Sequence, residues 1–171
     1  MRLDPYILGA EVGRRVARLM RRLYVRRLSG RAASDGHDDF KCLIDQVLPI
    51  AADLIVQQGG FFPFGAAVDH SGLSSLVAVA DSTGSVEARI DDLVNAYAAM
   101  TGRFRALALC RWVTFRIPVE ASAADGVEIG LEHEFGAACT VVYPYSLVVT
   151  TGSKDVEWGA PHSIERQRRV F

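Results

Sequence analysis

Apolar side chains recur along this chain at two spacings, and the places where one gives way to the other mark out its elements. From Glu11 to Leu28 the residues Val12, Val16, Leu19, Met20, Leu23, Tyr24 and Leu28 step by three and four, which predicts a helix with one apolar face. Arg14, Arg15, Arg18, Arg21, Arg22 and Arg26 gather on the opposite face, with Arg27 intruding on the stripe. Ser29 to Gly36 is small and polar and reads as a linker. A second helix follows, capped by Asp38 or Asp39, with Phe40, Leu43, Ile44, Val47, Leu48, Ala51 and Ile55 on its core face. Pro49 lies in that stripe and lacks the amide that would bond to Asp45, so a kink or a break into two helices is expected there. Gly59-Gly60 stops the helix, and an aromatic corner, Phe61-Phe62-Pro63-Phe64, leads into the first strand.

Pro63 to His70 and Ser74 to Asp81 are short apolar runs about a Ser71-Gly72 turn, the pattern of a β-hairpin. Its small residues, Gly65, Ala66, Ala67, Ala78 and Ala80, leave space that a closely packed helix or a ligand would fill. Ser82-Thr83-Gly84-Ser85 is a turn with capping capacity, and Val86, Ile90, Leu93, Val94, Tyr97 and Met100 form the stripe of another core helix that ends at Gly102. Arg103 to Val119 reads as one long strand whose apolar phase changes midway. Phe104, Ala106, Ala108, Cys110 and Trp112 share one face, while Val113, Phe115 and Ile117 share the other. A bulge or bend near Arg111 to Val113 would bring both sets inward. Val127, Ile129, Leu131, His133 and Phe135 then alternate with Glu128, Gly130, Glu132, Glu134 and Gly136, a half-buried strand with an acidic outer face. Ala137 to Tyr143 pairs back, and Ser146 to Thr150 continues past Pro144, a residue suited to an edge or a bulge. Lys154 to Phe171 has little pattern and is expected to wrap the surface.

These elements predict an α+β domain over residues 37–171, preceded by an Arg-rich amphipathic arm and linker over residues 1–36. Runs of strands without strict helix alternation argue for an antiparallel sheet of about five strands, in the order α-β-β-α-β-β-β. That order matches profilin-like and roadblock-like domains, an analogy of fold that assigns no function.

Charge sharpens the division. Residues 1 to 31 hold nine Arg against Asp4 and Glu11, a balance of +7, whereas the remaining 140 residues carry −8. A basic arm on an acidic body leaves three uses for the arm: docking on the body or a protein partner, lying on an anionic membrane surface, or, less favoured, contacting nucleic acid. The arm also resembles an organelle transit peptide with too little Ser, and a start at Met20 would remove half of it. No apolar run is long enough to span a membrane, and charges interrupt every candidate secretory signal. Cys42, Cys110 and Cys139 are odd in number and set among apolar neighbours, which fits buried thiols in a cytoplasmic setting.

Chemistry is sparse. Phe62-Pro63-Phe64-Gly65-Ala66-Ala67 resembles the first strand of cytidine deaminases, but the His-x-Glu and Pro-Cys-x-x-Cys that such enzymes need for zinc are missing, and the resemblance ends at six residues. His37-Asp38-Asp39 is explained by helix capping rather than a metal. No nucleophile elbow, phosphate loop or dinucleotide fingerprint occurs, and no cofactor is implied. The remaining polar candidates for a ligand are Asp69 and His70 at the hairpin turn and Glu132 and Glu134 on the acidic strand, where a solvated face is the plainer account and a cation or basic partner the sharper one. His133, on the apolar side, is expected to be a core histidine.

Gly60-x-Phe62-Pro63-Phe64-Gly65-Ala66, the Asp69-x-x-Gly72 turn, Glu132-His133 before a glycine, and Pro144-Tyr145 together resemble a group of small uncharacterised bacterial α+β proteins, over roughly residues 38 to 171. The Arg-rich arm departs from that group. The resemblance implies a compact cytoplasmic domain and supplies no activity. The expected function is therefore a non-catalytic binding or adaptor protein with a protein partner, its arm allowing peripheral attachment to a membrane. The alternative is a small-molecule sensor or enzyme with a pocket at the 61–72 hairpin. Because every core stripe of the domain lies beyond residue 38, deleting residues 1–31 is expected to leave a chain that melts cooperatively, as checked by calorimetry.

Overall fold

The computed structural model describes residues 36–78, 84–116 and 123–171. The Arg-rich helix expected over residues 11–28 and most of the linker after it lie outside these residues, as do the end of the run expected to reach Asp81, Ser82 and Thr83 of the following turn, and the end of the strand expected to reach Val119. Helix α1 runs from Gly36 to Gln58 as one continuous element with Pro49 inside it, so the expected break does not occur. Pro49 sits on the exposed side of the helix, where water can serve a carbonyl that loses its partner. The helix also starts ahead of Asp38 and Asp39, which lie in its first turn rather than at a cap. It stops at Gly59, whose φ of 76° is the left-handed geometry a glycine supplies cheaply, with Gly59 N–H donating to the Ile55 carbonyl.

Strands β1 (Phe64–Asp69) and β2 (Ser74–Val77) form the expected hairpin, and helix α2 (Val86–Ala99) follows, with Ser85 as its N-cap accepting from the Ala88 amide. Strands β3 (Phe104–Arg116), β4 (Ala123–His133) and β5 (Ala138–Thr150) make a meander. Two strands absent from the expected order then appear, β6 (Ser153–Trp158) and β7 (His162–Glu165), so the described residues form seven antiparallel strands rather than about five. The sheet order is β2-β1-β3-β4-β5-β6, with β7 also on β5. Both late strands use β5: residues 145–150 pair with β6 and residues 139–142 with β7, around a jog at Gly159 to Pro161.

The two helices cover opposite faces of this sheet. Leu43, Val47, Ala51 and Ile55 of α1 pack with Ala66, Val68, Ala106, Ala108, Cys110, Ile129 and Leu131, the main core. Tyr97 of α2 packs on the alternate residues Ala67 and Leu107, joined by Leu109, Val170 and Phe171. This two-sided cover explains the phase change in β3. The register of β3 with β4 is unbroken from Ala106 to Arg116, so no bulge lies near residues 111 to 113. Cys110 lies under α1, whereas Phe115 lies on the other face over Gly126, a position where any Cβ would collide with the ring. The slip occurs instead between Val68 and Asp69, where β3 spends one additional residue, Arg105. Phe135, expected inward, is 77% exposed because β4 ends at His133.

The small residues of β1 serve close packing with α2. The Tyr97 hydroxyl lies within hydrogen-bond reach of the Ala66 and Ala108 carbonyls, at 3.1 and 3.2 Å. A Cβ on Gly65 would stand 2.2 Å from that hydroxyl and 2.6 Å from the Ala108 carbonyl oxygen. Gly65→Ala is therefore expected to cost about 2–3 kcal/mol in urea unfolding, against about 1 kcal/mol for Tyr97→Phe. Burial pushes the Tyr97 phenol far above its ordinary 10.0. Its contribution to stability is fully present below that value and lost as pH rises above it, because the unfolded chain ionises first. Tyr97→Phe should flatten that part of the alkaline unfolding curve.

Candidate functional site

On the α2 side, the acidic outer face of β4 is occupied rather than solvated. Glu128 sits directly across from Arg111 of β3, and the guanidinium grips its carboxylate with two hydrogen bonds of 2.9 and 2.8 Å. Arg166, just past β7, reaches both Glu128 Oε1 at 3.4 Å and the Thr140 hydroxyl at 3.3 Å. Two residues further along β4 on this face stands Gly130, and two beyond that Glu132, which is only 5% exposed. Its carboxylate accepts three consecutive backbone N–H groups: Arg169 on Oε1 at 2.6 Å, then Val170 and Phe171 on Oε2 at 2.9 and 3.3 Å. Residues 166–171 thus form a strap across the sheet, and Val170 and Phe171 seat themselves beside Tyr97 and Leu107.

Beside the strap lies a groove lined by Pro63, Ile90, Leu109, Arg111, Glu128 and Arg166, among others, with a cavity volume of about 40 Å³. That suffices for an ion or a water or two. Sites for metabolites are far larger, roughly 300–1,000 Å³.

A second polar cluster lies at the sheet end where β1 and β4 finish. The additional residue in β3 lets Arg105 meet α1, where its guanidinium donates two 2.8 Å hydrogen bonds to Asp39. His133, fully buried, stands 3.2 Å from the same carboxylate through Nε2. Its Nδ1 accepts from the Phe135 amide at 3.2 Å, which places the ring proton on Nε2 and makes it the donor to Asp39. With both ring nitrogens engaged, His133 ties α1 to β4 and has no free lone pair for base catalysis. Among the described residues no group of three or more His, Cys, Asp or Glu is placed to hold a metal ion.

The four residues singled out from sequence separate into two places. Asp69 closes the β1–β2 turn, its Oδ1 accepting from Ser71 N, Ser71 Oγ and Leu73 N. Burial pushes its carboxyl up, but the hydrogen bonds from Ser71 and Leu73 outweigh this and hold it below the usual range. His70, exposed on the same turn, faces Glu134 at 3.6 Å. Glu132 belongs to the strap on the α2 face and shares no hydrogen bond with the other three. Sequence reading missed Asp39, Arg105 and the strap. The first two meet across 66 residues through a bulge that no local pattern announces. The strap left one trace, the run Arg166, Arg168, Arg169 against the glutamates of β4.

Removing a partner from the buried cluster leaves a charge uncompensated. Asp39→Ala is expected to cost about 3 kcal/mol in urea unfolding, whereas Asp91→Ala, which breaks an exposed 4.0 Å contact with Arg169, should cost less than about 0.5 kcal/mol. No family model, curated protein or solved structure matches this chain.

Proposed function

We propose that this chain is a non-catalytic binding or adaptor protein whose partner is another protein. The observation that carries the reading is the outer half of the β5–β6 hairpin. Beyond Pro144, the last β5 residue paired with β4, residues 145–150 have β6 as their ladder partner. The root is anchored: Val156 and Trp158 pack on the α1 core, and Tyr143 and Tyr145 meet the Trp158 ring edge to face. The tip is bare, with Leu147 45%, Val148 38% and Val149 69% exposed. A two-stranded ribbon gains little stability by itself, and consecutive apolar residues exposed on both its faces are what a partner surface covers. Among the described residues β6 is the terminal strand of the sheet path, so its outer edge is open to strand addition, apart from the Val156 amide, which donates to Asp155 Oδ1 at 2.8 Å. Lys154, Asp155 and Glu157 along it oppose indiscriminate pairing.

Three further features support binding over catalysis. Glu128, Glu132, Asp39 and His133 are all engaged in contacts within the chain, and the groove on the α2 side is small. The space above Gly65 that the alternative reading would give to a ligand at the 61–72 hairpin is filled by Tyr97, so a small molecule there would have to displace that ring. Residues 11–28 add a second proposed contact, the arginine face toward an anionic membrane surface and less favourably toward nucleic acid, in a bacterial cytoplasm. Among the described residues no helix is long and apolar enough to cross a membrane.

A photo-crosslinking residue placed at Val149 is expected to give a discrete protein adduct in cells, and one placed at exposed Gln57 on α1 is not. Leu147→Ser with Val149→Ser should abolish capture of that partner by the otherwise normal chain while changing stability by less than about 0.5 kcal/mol. Turnover of a small-molecule library by the purified protein, without adducts at Val149, would sink the proposal.

A further inference from the structure

The strap meets the sheet in a manner that resembles a ligand more than a structural element. Among the described residues, every hydrogen bond to the Glu132 carboxylate comes from the strap, and all three are main-chain donors. A carboxylate as buried as Glu132 cannot be left without donors at small cost. The groove is therefore built to be filled, and what it reads is a run of free N–H groups followed by an apolar pair. Two carboxylates flank the approach: Glu128, already paired with Arg111, accepts a further contact from Arg166, and exposed Asp91 faces Arg169.

The strap itself is lightly held. After β7 its ladder dwindles to one bond of 3.4 Å, from Arg166 N to the Ala138 carbonyl. Its ion pairs are 3.4 and 4.0 Å long and involve arginines nearly half exposed, contacts that hold little. Arg168 and Gln167 are exposed. Attachment thus rests on the Glu132 clamp, on Val170 and Phe171 beside Tyr97, Phe104 and Leu107, and on one 3.3 Å hydrogen bond from Arg166 to the Thr140 hydroxyl. None of these contacts reads a side chain unique to the strap, apart from two apolar seats and positive charge.

We propose that the α2-side groove around Glu132 is a peptide-binding site and that residues 166–171 are its resident occupant, exchangeable for a partner's extended segment of the same chemistry, basic residues followed by two large apolar ones. The strap competes with the advantage of being on the same chain, so an incoming segment gains the site when it is presented at high local concentration or carries further contacts. The inference goes beyond the β5–β6 hairpin and does not depend on it.

The test uses the full-length chain and a fluorescent, C-terminally amidated peptide with the sequence of residues 163–171. In the double variant Val170→Asp, Phe171→Asp, which unseats the strap and leaves the groove intact, the peptide is expected to bind at least about tenfold more tightly than to the unmodified chain. Adding Glu132→Ala should remove that binding, and a peptide carrying the same two Asp replacements should not bind. A separate measurement guards against misfolding of the variant: native-state hydrogen exchange on the unmodified chain should show the amides of 169–171 opening together at least about tenfold faster than those of Ile129 and Leu131. Exchange of the strap amides in step with the β4 core would overturn the proposal, as would a folded double variant that ignores the peptide.

Discussion

The eleven consecutive pairs of β3 with β4 form the frame on which the other elements are hung. Both faces of that frame are covered, and a strand buried on two sides can carry a polar group inward only if the covering layer brings a partner for it. Each layer does so. α1 brings Asp39 to Arg105 and His133, α2 brings the Tyr97 hydroxyl to two strand carbonyls, and the strap brings three amides to Glu132. Apolar contact supplies most of the attraction between layers, but these polar contacts fix their registry, because a slide of one residue would leave a buried group unpaired.

The same demand accounts for what the sequence makes legible. Helical stripes of α1 and α2 are read directly, since one buried face produces a period of three to four, and Ser85 and Gly59 punctuate them through backbone geometry that residue type reveals. Alternation in β4 is equally plain from Val127 to His133. A change of apolar phase along β3 needs no bulge when both faces are covered, and the actual bulge at Arg105 is hidden where the side chain is charged. β6 and β7 escaped because they are edge strands whose residues are mostly exposed, so no hydrophobic period marks them. Pro49 misled because loss of one amide on the wet side of a long helix is tolerated when the opposite side is anchored by Leu43, Val47, Ile50 and Leu54.

Polar residues leave weaker marks in the sequence than apolar ones for a related reason. Glu132 and Glu134 share a phase in the sequence, yet β4 ends between them, so Glu132 stays with the sheet and Glu134 turns toward His70. The strap uses main-chain donors, which every residue except proline possesses, so its contact with Glu132 has no signature in residue type. What can be read is the charge balance alone, basic tail against acidic strand.

The sequence separation of that contact also has a consequence for synthesis. Glu132 leaves the ribosome 37 residues before the Arg169 amide that will satisfy it. α1, β1, β2, α2, β3 and β4 all precede the strap in the chain, which is synthesised at roughly 5–20 residues per second, so the part of the sheet that carries Glu132 exists before the strap does. For that interval residues 166–171 are not yet there to compete for the carboxylate and apolar seat of the nascent protein. A segment that engages the cradle during translation would meet it at its most receptive, before the finished molecule closes over it.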